Sequence, residues 1–306
     1  MTAPVSSVDP EELRRAVQSE FFWVLGLDEG HPLRHVLTAA IQPVLGRFVD
    51  VVAPFDRDVA SVGMPEALRR RATQFVNALT VTNSGYIPRT GPVLLLSNHP
   101  GGLDLFLVLA LLPRDDIKVI VSEISILRHL PASGPHFISI GRAADSRMQA
   151  VRAGIRHLNE DGALFIFPGG ILDPDPAFMP GAIEALARWS PSVELFLRRV
   201  PQTHVVVTTV GGVLSPGWYH SPVTRLREER KDRQKVAEVF QIAQQLLLPG
   251  TLDLRPSVHF APPMAAQSLD LDGPPGRPLA ALRSVAQALL ADRRYFPKAR
   301  SLRTAD

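Results

Sequence analysis

His99 and Asp104 lie five positions apart, joined by Pro100, Gly101, Gly102 and Leu103. An imidazole is the side chain whose ordinary pKa suits proton transfer near neutral pH. A carboxylate beside it can fix its tautomer and stabilise the imidazolium formed once it has taken a proton. Such general-base assistance is worth on the order of 10²–10⁴-fold in rate. Taken alone, the two residues read more readily as a polar strand end and a helix cap.

The flanking sequence bears on whether they can meet. Val93-Leu94-Leu95-Leu96-Ser97 is a short, continuously apolar run that predicts a buried strand, with Asn98 and His99 at its C-terminal end. Ligand sites of open α/β sheets lie at that end. Pro100, Gly101 and Gly102 predict a tight turn, which puts Asp104 in the first turn of an apolar helix over Leu105 to Leu112. The chain is then folded back so that carboxylate and imidazole face each other.

This order of strand, Asn-His, four residues and Asp resembles the signature of the phospholipid/glycerol acyltransferase family, and the resemblance continues along the chain. Gly85-Tyr86-Ile87-Pro88 and Gly91-Pro92 are similar to the family's approach to the motif, and Phe137 to Arg142 to its second block. Phe167-Pro168-Gly169-Gly170 stands where the third block, Phe-Pro-Glu-Gly followed by Thr-Arg, is expected, and Val205 to Gly212 where the fourth, a buried strand, is expected. The resemblance spans about Thr80 to Gly212.

It implies an acyltransferase moving a fatty acyl group from acyl-CoA or acyl-carrier protein to a polar, lipid-type hydroxyl or amine. His99 would be the general base and Asp104 its partner, with Arg142 at a phosphate and Asn98 and Phe167 to Gly170 shaping the substrate site. A thioesterase on the same scaffold and a non-catalytic acyl-carrier- or lipid-binding protein are the alternatives. Two departures alter the acceptor side: Gly169 replaces the third block's Glu and Leu172 its Arg. A hydrogen-bonding carboxylate and a phosphate-pairing guanidinium are thereby lost. Asp173 and Asp175 are carboxylates near enough in sequence to serve a different acceptor, although Asp-Pro pairs are also ordinary turn residues. Backbone amides at Gly169 and Gly170 are a candidate anion nest or, equally, a plain turn.

Elements around this centre follow from pattern. Asp9-Pro10-Glu11-Glu12 predicts an N-capped helix running to about Gly26, and further helices are expected over Leu33 to Phe48, interrupted near Pro43, and Pro65 to Leu79. From Thr80, short β-rich runs alternate with helical ones. The expectation is therefore an α/β fold with a mixed, largely parallel central sheet flanked by helices, residues 1–79 forming an N-terminal helical region and 80–306 the acyltransferase-like domain. Phe21, Phe22, Trp23, Leu25 and Leu27 read either as core or as a lipid-facing patch.

Composition narrows the classes. Apolar residues make up 45% of the 306 and charged residues 21%, which is ordinary for a globular chain, and a net charge of +3 gives no ground for a nucleic-acid partner. With no cysteine there is neither disulfide nor thiolate chemistry, and the nine histidines lack metal-ligand spacing, so no metal is expected; the acyl transfer that the resemblance implies calls for no tightly bound cofactor either. The longest apolar run is far shorter than the ~18 residues a spanning helix needs. The expected location is cytoplasmic, with peripheral contact at the inner face of the membrane. The basic stretch from Arg225 to Lys235 reads as a charged helix face, and the Arg293 to Arg303 cluster with Tyr295 and Phe296 as a candidate contact for membrane or an acidic carrier.

Overall fold

The computed structural model of the chain describes residues 7–141, 143, 145–292 and 294–296. Three helices come first: α1 (Pro10–Leu25), α2 (Leu33–Val62) and α3 (Met64–Ala72). The Asp9 carboxylate caps α1 by accepting N–H bonds from Glu11 and Glu12, and Gly26 ends it in the left-handed region at φ 71°. Helix α2 does not stop at Phe48. It carries both Pro43 and Pro54 in its interior and ends at Gly63, because each proline removes only one ladder bond while the helix is clamped from outside. Its Asp56 supplies that clamp, accepting N–H bonds from Ala132 and Ser133 and the Ser133 hydroxyl. By length and composition α2 could cross a membrane, although it holds no long unbroken apolar run, its apolar residues being interspersed with polar ones.

The remaining elements alternate: β1 (Thr80–Thr82), β2 (Val93–Ser97), α4 (Gly102–Ala110), β3 (Ile117–Ser122), β4 (Phe137–Ile140), α5 (Ser146–Asn159) and β5 (Ala163–Ile166). After them come α6 (Ala182–Ala185), α7 (Ser192–Arg199), β6 (His204–Gly211), α8 (Pro216–Tyr219), α9 (Arg230–Leu247), β7 (Ser257–Phe260), β8 (Met264–Ala265) and α10 (Arg277–Ala291). The strands form one eight-stranded sheet in the order β1-β7-β6-β2-β5-β3-β4, with β8 also on β6. Pairing is parallel except where β7 and β8 meet β6. The architecture is thus the expected mixed, largely parallel α/β sheet preceded by helices. Strands β7 and β8 and helices α7 and α8 were not foreseen: β8 has two residues, α8 has four, and Ser257-Val-His-Phe lacks a run long enough to signal a strand.

Alternation along the central strands builds two cores. Val93 and Leu95 point toward α3 and α4, and Leu94 and Leu96 toward α7 and α10; all four are fully buried. Each such leucine contributes roughly 1.5–3 kcal/mol by leaving water. Since β2, β5 and β6 are adjacent and parallel, their C-terminal ends emerge side by side. That places the loops after Ser97, Ile166 and Gly211 together at one edge of the sheet.

Candidate active site

At that edge the turn forms as its sequence requires. Gly101 precedes α4, and Asp104 is the third residue of the helix, from which its Oδ2 reaches back to accept the Gly101 N–H at 3.2 Å. The same Oδ2 lies 2.9 Å from His99 Nδ1. With Nδ1–H donated to Asp104, Nε2 is left as the basic atom. Asp104 is fully buried, while the His99 side chain keeps 23% exposure. Asp104 Oδ1 is buried with no partner among the described residues, so this under-solvated carboxylate gains most when the imidazole beside it becomes charged.

Two further contacts fix His99. Its ring is stacked on Phe167, the first residue after β5. Its backbone is tied twice to the third-block loop, with His99 N–H donating to Asp173 Oδ2 at 3.0 Å and Asp173 N–H donating to His99 O at 2.6 Å. Burial pulls the imidazole pKa down, but the charges of Asp104, Glu238 and Asp173 outweigh it and hold the pKa above its ordinary value.

The other expected site residues fall out as follows. Asn98 is buried and spends both side-chain polar groups on Val210, donating from Nδ2 to its carbonyl and accepting its N–H at Oδ1, each at 2.8 Å. It fastens β2 to β6 immediately before His99. Phe167 meets His99. Pro168 accepts the Ser190 N–H at its carbonyl, and Gly170, at φ 68°, uses its own N–H on Phe167 O, so that amide is already committed within the turn. Arg142 lies outside the described residues, as do Arg293, Lys298, Arg300 and Arg303. Of that terminal cluster, Phe296 is buried and Tyr295 stacks on His259, so these two rings belong to the protein's packing. Phe22 is likewise core, whereas Trp23 is 58% exposed with Lys235 over its ring.

Asp173 and Asp175 hold the loop together. Asp173 Oδ1 takes a 2.6 Å bond from Arg188, and Asp175 accepts N–H bonds from Ala177, Gly212, Val213 and Leu214. Both are engaged inside the fold and neither is presented to an acceptor. Helix α9 does more than offer a charged face. Gln234 donates to the carbonyls of Pro100 and Asp173, Arg230 donates to Leu172 O, and Glu238 Oε1 accepts N–H bonds from Gly102 at 2.5 Å and Leu103 at 3.3 Å. Their sequence signal was a charge pattern alone, which does not say which face is turned inward.

Beside this turn opens a cavity of about 440 Å³, within the roughly 300–1,000 Å³ typical of ligand pockets. Phe48, Val52 and Phe55 of α2, Leu103 and Phe106 of α4 and Ile242 of α9 line it, and Glu238 stands at the end where Gly102 begins α4.

A mixed, largely parallel α/β sheet thus holds His99 and Asp104 in contact at its strand ends, in a turn that borders an apolar pocket. Residues 78–211 match the sequence model of the acyltransferase family. The chain is also similar to a solved structure, the 1-acyl-sn-glycerophosphate (LPA) acyltransferase PlsC from Thermotoga maritima. The two are 15% identical, with 90% of this chain and 96% of that one covered and a TM-score of 0.43. No curated protein matches.

Proposed function

We propose that the protein transfers a fatty acyl group from the thioester of acyl-CoA or acyl-carrier protein to a hydroxyl or amine of a polar, lipid-type acceptor. His99 Nε2 takes the acceptor's proton as its oxygen or nitrogen attacks the thioester carbonyl. The tetrahedral intermediate collapses with cleavage of the C–S bond, and the imidazolium returns the proton to the departing thiolate. Asp104 fixes the Nδ1–H tautomer and balances the transient charge. The single observation that carries this reading is the 2.9 Å contact of His99 with Asp104 across a turn whose Gly102 and Leu103 line an apolar cavity.

In this reading the cavity takes the acyl chain. Asn98 holds the strand end, Phe167 to Gly170 form the wall around the imidazole, and Arg142, following β4, meets a phosphate. Residues 1–79 act as a helical cover on the domain formed by 80–306, and the apolar α2, which lines the cavity, brings the acyl chain's entrance to a membrane surface. The acyl donor is a co-substrate.

The test is H99A, incubated with labelled acyl-CoA and an extracted lipid mixture, products being identified by mass. Thioester consumption should vanish while the circular dichroism spectrum is kept; unchanged turnover disposes of the base. Free fatty acid without an acylated product would favour hydrolysis over transfer.

A further inference from the structure

Helix α4 begins without a cap of its own. Its N-cap position is Gly101, which has no side chain, so the hydroxyl or carboxylate that ordinarily satisfies the first free amides of a helix is missing in the turn that must hold Asp104 against His99. Glu238, in α9 and 136 residues beyond Gly102, occupies the vacancy: its Oε1 accepts the N–H groups of Gly102 and Leu103, the first two residues of α4. The fit is reciprocal. A Cβ built on Gly101 would stand 3.2 Å from Glu238 Oε1 and 3.5 Å from Val213, so the glycine leaves the room that the glutamate uses.

We infer that Glu238 is a positioning residue for the His99–Asp104 pair, a cap supplied from α9 that sets the start of α4 and contributes a second negative charge beside the base. This rests on His99 being the base. Glu238 lies outside the family-matching segment and carries no signal in the sequence beyond a charge on a helix.

Its surroundings allow both parts of the role. From α4 it faces Asp104, and from the turn His99, with Asp173 behind His99. Across the cavity α3 offers Arg71, which is occupied with Asp58 at 2.7 Å. Burial and the Asp104 charge push the Glu238 pKa up to about 7, against the pull of His99 and the two amides. Glu238 and His99 therefore titrate as a coupled pair. The glutamate's negative form favours the imidazolium, so removing that charge lowers the pH at which His99 becomes a free base.

The experiment compares E238A, E238Q, G101S and the double variant G101S/E238A with wild type and H99A, following thioester turnover against pH. E238A should lose kcat by on the order of 10²-fold, the cost of a catalytic group displaced by about 1 Å, with little change in donor KM. E238Q keeps an acceptor oxygen for the two amides and should retain most of kcat, but the acid limb of kcat/KM should move to lower pH. G101S alone should impair turnover by crowding Glu238, whereas in G101S/E238A the serine hydroxyl can cap α4 locally and should restore about tenfold over E238A, a marked departure from additivity. Thermal melts identify any variant that fails to fold. The inference is overturned by wild-type kcat in E238A, by an E238Q acid limb that does not move, or by additive losses in the double variant. Wild-type turnover in H99A removes the base and this inference with it, while an inactive H99A with an unimpaired E238A removes Glu238 alone.

Discussion

The imidazole of His99 lies flat on the ring of Phe167, with centroids 3.9 Å apart and planes within 17°. Asp104 holds the edge of the imidazole and Phe167 its face, so together they fix both the tautomer and the plane from which Nε2 works. Phe167 is in turn held edge-on by Phe165 of β5, which is fully buried. The ring's position is therefore set by the sheet.

Replacing Phe167 by alanine frees the imidazole to tilt and lets water onto its face. Burial is the largest influence pulling the His99 pKa down, so relieving it moves that pKa up and the acid limb of kcat/KM to higher pH, the direction opposite to that expected for E238Q. Loss of orientation should lower kcat by on the order of 10²-fold. A pH–rate profile of F167A whose acid limb stays in place would show that the stacked ring does not desolvate the base.

Stability should report two buried groups with opposite signs. Glu238 titrates near 7 in the fold against 4.5 in the open chain, so its contribution is complete below 4.5 and is lost as pH rises through 7. His259 is pushed down by burial from 6.5 to about 4, so its contribution is complete above 6.5 and is lost as pH falls through 4. Each is worth up to on the order of 3 kcal/mol. Across pH 4.5 to 6.5 they offset each other in the wild type, and only variants separate them. In urea titrations E238Q should gain on wild type as pH rises from 5 to 8, and H259Q should gain as pH falls from 7 to 4; parallel curves would contradict the assignment.

The residues of the His99–Asp104 turn were legible in the sequence because they are local. Val93 to Asp104 holds strand, turn and helix start within twelve positions, and each step has its own signal in apolar run, Pro-Gly-Gly and acidic first turn. Strand β2 falls at the expected residues for the same reason. What was hidden is long-range: Glu238 on α4, Arg188 on Asp173, and the Asp175 clasp depend on which helix face turns inward, and periodicity in α9 alone does not fix that. The third block shows the point most clearly. Asp173 and Asp175 read in the sequence as turn residues or as carboxylates for an acceptor, and the packing of three loops consumes both.

Asp175 is expected to be the most costly of these to lose. Its buried carboxylate accepts four backbone N–H bonds, three of them from Gly212, Val213 and Leu214 just after β6, where Gly212 turns at φ 74°. Burial holds its pKa up while the four amides draw it down. D175A leaves those donors without an acceptor, at a cost of about 3–5 kcal/mol. D175N, which keeps one oxygen, should lose less. Denaturation midpoints order the three proteins, and a D175A midpoint equal to wild type would mean that the loop finds other acceptors.

The cavity makes a prediction about chain length that does not depend on the base. Ile242 stands one turn beyond Glu238 on α9 with its side chain on the cavity wall. If the acyl chain lies there, each methylene that leaves water for the cavity contributes about 0.8 kcal/mol, roughly fourfold in kcat/KM, until the space is full. In I242W the indole occupies the part of the cavity farther from His99, so the rise in kcat/KM along a series of saturated acyl-CoA donors should stop at a shorter chain, with short donors turned over at the wild-type rate. I242A should extend it. A chain-length profile that is the same in all three proteins would place the acyl group elsewhere, and a uniform loss across every donor in I242W would mean that the indole had disturbed α9 and with it the turn that carries His99.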